Sequence, residues 1–294
     1  MSNGYHLIQR MQQFDQNTIE QNLNDYHSYL DALLYIQNYL SESGINFPEW
    51  KYYSDDLVTK HIFHSNTIYN ILNGLSIKSE LTKLNFTFFD LPSVQVLIRA
   101  QLENLLITDF IYFQHISELE KEFRFNCWLY ASLLDRSKLS VVGKEIKKLQ
   151  EQDKIDILKL KDIIIAAPFY KKLSIKQQKT FIEKGDYKLF HSWEDLITLS
   201  KLKGIILNSA YKGLCSQAHS GAMGIMNLKS QKLYFSNDNP HVNPIILLST
   251  LILCVMIYRY RSFCKTTEIA FKKLSPLLIK TIELNNSLLS NRSC

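Results

Sequence analysis

The side chains of this sequence best able to do chemistry are Arg99 and Glu103, one helical turn apart, and Tyr211, Cys215 and His219, spaced four and four. Arg99 and Glu103 lie in DLPSVQVLIRAQLENLLITDFIYFQH, residues 90–115, the longest clean helical pattern in the chain. Val96, Leu97, Leu105, Leu106, Phe110 and Ile111 surround them, so the pair is expected inside the protein. Charge buried there has to be paired and hydrogen-bonded. Such a guanidinium either fixes how two helices dock or faces a cleft and binds phosphate or carboxylate.

Tyr211, Cys215 and His219 line one stripe of a later helix, with Ser216 and Ser220 beside it. This segment is expected to meet Arg99 and Glu103. Histidine serves as acid, base or ligand near neutral pH, and on a packed helix it also serves as a satisfied core residue. Cys215 would act as a nucleophile only with a lowered pKa and access to solvent. Cys215 with His219, and His61 with His64, are spaced to share a metal, but two pairs are sparser than a structural zinc cluster, so no metal is expected. The sequence has no Gly-rich phosphate loop, GxSxG elbow or HExxH pair, and no cofactor is expected.

The elements that position these residues follow from composition and periodicity. Gly (9) and Pro (6) are scarce among 294 residues, which predicts long helices and few turns: an all-α multi-helix bundle with long antiparallel helices. Helices are expected over 14–41, 54–73, 90–115 and 117–136, with Asp90 capping the third and Ser117 the fourth. A short connection carries Phe86, Phe88 and Phe89. From 138 to 190 lysines crowd in, and a pair of helices broken near Pro168 reads as a polar insertion or lid with a solvated face. A short helix starts at Trp193. The stretch 204–228, rich in small residues, is expected as a central, tightly packed helix, followed by a loop to Pro244. Residues 245–258 are almost wholly apolar but shorter than the roughly 20 residues a membrane span needs, so they read as a buried core helix. A last helix, 266–289, kinks or splits at Pro276. The whole is one helical domain with its core at 14–136 and 193–289.

The net charge of +6 tolerates an anionic partner without demanding one. Five cysteines without a CxxC pair fit a reducing cytoplasm, and MSNGYHLIQRMQQFDQ has no apolar stretch of a signal peptide.

DLPSVQVLIRAQLENLLITDFIYF, EFRFNCWLYASLLDRSKL and YKGLCSQAHSG together resemble a broad helical family of bacterial proteins of unknown function. Its pattern is an Arg-x-x-x-Glu helix followed about a hundred residues on by a Tyr helix ending in His-Ser or His-Gly. The matching positions are Arg99, Glu103, Tyr211, Cys215 or Ser216, His219 and Ser220, and the likeness covers about residues 55–225. More distantly the chain resembles the HEPN superfamily, whose members are often RNA-cleaving toxins or phage-defence effectors. Those nucleases carry Arg-x(4–6)-His on one helix, and no arginine here has a histidine at that spacing.

The resemblance implies a metal-independent endoribonuclease. His219 would take a proton from an RNA 2′-hydroxyl while Arg99 stabilises charge on the phosphate, with Glu103 and Tyr211 in the same centre. Ser216, Ser220 and Arg136 are the expected binding residues. The other readings are a non-catalytic interaction module, acting as a homodimer or with a partner protein, and a sensor that binds an anion or nucleotide. A membrane partner is not expected.

Overall fold

The computed structural model describes residues 9–10, 12–14, 16–140, 142–218, 222, 225–226 and 239–290. Among them the chain is predominantly helical, which makes it an all-α protein with one two-stranded hairpin. In chain order the helices are α1 (Ile19–Glu42), α2 (Glu49–Leu72), α3 (Leu91–Thr108), α4 (Glu118–Ser137), α5 (Lys144–Ala166), α6 (Ile175–Lys184), α7 (Trp193–Leu199), α8 (Gly204–Ala218), α9 (Val242–Tyr260), α10 (Lys265–Lys272) and α11 (Pro276–Leu289). The hairpin, β1 (Leu75–Lys78) and β2 (Asn85–Phe88), lies between α2 and α3. Two compact units result. One is formed by the residues up to Thr108 together with those from Ile197 onward, the other by Asp109–Leu196.

In the first unit, local chemistry sets the helix starts. Thr18 accepts from the Gln21 amide while the Gln21 side chain returns to the Thr18 amide, and this reciprocal cap fixes the start of α1 at Ile19. The helix α2 starts at Glu49, five residues before the expected position, because Pro48 leads straight into it instead of ending a turn. Asp90 accepts from the Ser93 amide at 3.2 Å and so caps α3, with Pro92 in the first turn. The phenylalanine-bearing connection is β2. Its Phe86 and Phe88 alternate onto the same face as Ile77 and Leu75, their partners across the hairpin.

The helix α9 is longer than the apolar run suggested. His241 precedes it, and Pro244 sits in its first turn, where a missing N–H costs nothing. At 19 residues and a mean hydropathy of 1.9 it is long and apolar enough to cross a membrane, yet 72% of that stretch is buried inside the protein. It packs against α1, α3 and α11. The expected break at Pro276 separates α10 from α11, with Ser275 as cap and Pro276 as first helical residue.

The second unit begins at Asp109, not near 138, and so takes in α4. The reason is packing: Phe123, Cys127, Tyr130 and Leu133 of α4 form one apolar cluster with Leu160 and Ile164 of α5, Tyr170, and Phe181 of α6. Tyr130 stacks on Phe181 at 5.5 Å and donates to the Ile182 carbonyl at 2.8 Å. The lysine-rich α5 buries only Asp153, Leu160 and Ile164, so most of it is a solvated face, as its composition predicts. Residues 90–115 do not form one uniform α-helix. Asp109–Phe113 is wound as a π-turn, closed by the Gln114 amide donating to the Asp109 carbonyl at 3.1 Å.

Candidate functional site

Two helices far apart in sequence, α3 and α8, pack side by side in the first unit and bring three of the predicted residues together. Arg99 Nε donates to Glu103 Oε1 at 2.9 Å, and the Tyr211 hydroxyl donates to the same oxygen at 2.7 Å. The guanidinium lies over the Tyr211 ring, 5.5 Å from its centroid. Burial works against the Arg99 charge, but the hydrogen bond and negative charge of Glu103 outweigh it and raise the guanidinium pKa. Burial, then the hydrogen bond to Glu103 and its charge, push the Tyr211 phenol above the ordinary tyrosine range. The phenol therefore stays protonated and serves as a donor.

The setting differs from the expected oily interior. The side chains of Arg99 and Glu103 are 25% and 26% exposed, and Val96, one turn before Arg99, is exposed. Nor is α8 a central helix. Ser209, Lys212 and Gly213 are exposed, a side chain at Gly213 would meet open space, and Leu207 and Leu214 are its buried anchors. Small residues here mark an outer helix that lies against α3 along one stripe.

The remaining predicted residues lie elsewhere. Ser216 turns back to the Gly213 carbonyl at 2.7 Å. Arg136 belongs to the other unit, where Nε donates to Asp153 Oδ2 at 2.7 Å and Nη2 donates to Asp153 Oδ1. Asp153 is 3% exposed, so this fork holds α4 to α5 and has a structural task. His219 and Ser220 lie outside the described residues. Cys215, one turn after Tyr211 on α8, is half-buried with a free thiol.

A second polar cluster escaped the sequence reading. On the opposite side of α3 from Arg99, Gln101 donates to Ser65 Oγ of α2 at 2.8 Å and accepts from Ser249 Oγ of α9 at 2.9 Å. Ser249 also meets the Tyr26 hydroxyl at 3.0 Å, and Asn104 Oδ1 meets His61 Nδ1 at 3.1 Å. All six residues are buried. With Asn104 Oδ1 as acceptor, Nδ1 of His61 carries the proton and Nε2 is bare. Burial pushes this imidazole down to about 3, and the pull is only partly offset by Asn104. The available signal was the spacing of Gln101, Asn104 and Thr108 on one face of α3, at 3 and 4.

Compared with family models, curated proteins and solved structures, the chain matches none. Fold and site together define an all-α protein with a partly buried, carboxylate-anchored arginine between two helices.

Proposed function

We propose that the chain is a helical receptor for a phosphate group of RNA or of a nucleotide, held by Arg99. The observation that carries this reading is the division of labour around the guanidinium. Nε is fixed by Glu103 and one face rests on Tyr211, while among the described residues Nη1 and Nη2 have no partner and the side chain is a quarter exposed. An arginine oriented in advance presents its two Nη groups to a phosphate as a fork, at little further entropic cost. Glu103 and Tyr211 are engaged with each other, so here they position and do not exchange protons. The free thiols, Cys215 and Cys264 among them, fit a reducing cytoplasm.

Fluorescence anisotropy with a short single-stranded RNA and competition by AMP test the reading. Wild type binds and AMP competes. Arg99→Met, with an unchanged circular dichroism spectrum, loses most of the affinity, and Arg99→Lys keeps the charge but loses the fork and falls between. Equal binding by wild type and Arg99→Met would sink it.

A second reading extends the first: a HEPN-like RNA-directed toxin or phage-defence effector with His219 as general base. It draws support from the adjacency of α3 and α8, since α8 runs to Ala218, the residue before His219 in the sequence. Under it, purified protein shortens RNA without added metal, and His219→Ala abolishes this at an unchanged melting temperature. Intact RNA throughout leaves a binding protein, and loss of stability without loss of binding points to an interaction module.

A further inference from the structure

The end of α9, the length of α10 and the middle of α11 line an open cleft of about 790 Å³ in the first unit. Its polar lining includes Arg261, Lys265, Glu268, Lys272 and Glu283, and Phe271 and Ile279 form an apolar part of its wall. The size falls within the roughly 300–1,000 Å³ of ordinary ligand pockets.

Arg261 is held from three sides. Its guanidinium lies 3.6 Å from the Tyr258 ring centroid and 5.1 Å from that of Phe271, and Nη1 donates to Glu283 Oε1 at 3.0 Å. Among the described residues Nε and Nη2 have no partner, and the side chain is 24% exposed. The charges around it are unbalanced. Arg261 is paired with Glu283 and Lys272 with Glu268, which leaves Lys265 as the lining cation with no ion pair among the described residues. The hydrogen bond and charge of Lys272 hold the Glu268 carboxyl below its usual range, with smaller contributions from Arg261 and Lys265. Arg261 and Lys265 also line the same cleft.

We propose that this cleft binds a phosphorylated small organic molecule, its phosphate between Arg261 and Lys265 and its organic body along Phe271 and Ile279. The site is independent of Arg99. It would be occupied by a compound with a compact anionic head and a flat or apolar body, and inorganic phosphate alone would fill only the polar end.

Calorimetric titration of the full chain with phenyl phosphate and with inorganic phosphate tests this. Phenyl phosphate binds in the sub-millimolar range, and inorganic phosphate binds about tenfold more weakly, the gap that ring burial of ~1.4 kcal/mol would produce. Lys265→Ala, an exposed site whose loss leaves the fold intact, weakens both, and Arg261→Lys weakens both further. Arg99→Met changes neither. The proposal is overturned if neither probe binds at millimolar concentration. It is equally overturned if Lys265→Ala and Arg261→Lys bind like wild type, or if Arg99→Met abolishes the signal.

Discussion

Tyr211 and Glu103, 108 positions apart in the chain, are joined by a single hydrogen bond of 2.7 Å from the phenol to Oε1. The same oxygen accepts from Arg99, so the three side chains act as one unit and their deletions do not add. The contact is partly exposed, which places its worth toward the lower end for a hydrogen bond to a charged acceptor. Tyr211→Phe is expected to cost about 1 kcal/mol in urea denaturation, and a double-mutant cycle with Glu103→Gln should give a coupling of ~0.5–1.5 kcal/mol. Strict additivity would mean that α3 and α8 are held together by apolar packing alone.

The imidazole of His61 makes stability depend on acid. Its folded pKa, about 3, lies below the ordinary histidine value of 6.5, so between these values the unfolded chain binds a proton that the folded chain refuses. Stability from this group is therefore intact above pH 6.5 and falls as the pH drops toward 3, by up to ~1.4 kcal/mol per pH unit. His64 and His191, whose pKa values are also lowered by burial, act in the same direction, while the raised Asp55 acts in the opposite one. The comparison that isolates His61 is the difference between wild type and His61→Gln in denaturation midpoints from pH 7 to pH 4.5. The variant should show the shallower slope, and parallel slopes would refute the assignment.

Gln101 ties α2, α3 and α9 together through two serines. Replacing it with leucine keeps most of the volume but removes a donor and an acceptor at once. Ser65 still donates to the His61 carbonyl at 2.8 Å, and Ser249 still meets Tyr26, so neither hydroxyl is fully orphaned. A loss of about 1–2 kcal/mol in chemical denaturation is expected, less than the full penalty for a buried unsatisfied pair. A stabilised Gln101→Leu protein would show that the polar layer is a cost and not a support.

How much of this was legible in the sequence depends on whether the signal was local. The Asp90 and Ser117 caps, the break at Pro276 and the exposed face of α5 are written in neighbouring residues, and the structure has them. The meeting of Arg99 and Glu103 with Tyr211 was legible as well, because charges at helical spacing inside an apolar run require a partner. Their degree of burial was not, since it depends on how much of α3 the outer helix α8 covers. The hairpin was hidden because Phe86 and Phe88 in a four-residue strand give too short an alternation to separate from a loop. The extent of the second unit was hidden for a different reason. Phe123, Cys127 and Tyr130 read as core residues in either unit, and only the long-range contacts to Ile164 and Phe181 decide which.

Gly185 is the position where one added methyl group should test that second unit. It ends α6 at φ +69°, and a Cβ there would stand 2.9 Å from the Cα and 3.0 Å from the Cβ of Ala131 on α4. Two penalties then coincide. An alanine is strained in a conformation that favours glycine, and the close approach of α6 to the α4 backbone leaves no flexible side chain to move aside. The two helices must separate, which loosens Phe181 from Tyr130. Gly185→Ala is expected to destabilise Asp109–Leu196 by about 2–4 kcal/mol, combining strain with overpacking. Hydrogen exchange resolves the effect by region. Amides of α4 and α6 should lose protection while those of α9, buried in the first unit, keep theirs. Equal loss in α9 would mean that the two units unfold as one, and no loss anywhere would mean that the approach of Gly185 to Ala131 is not a close one in solution.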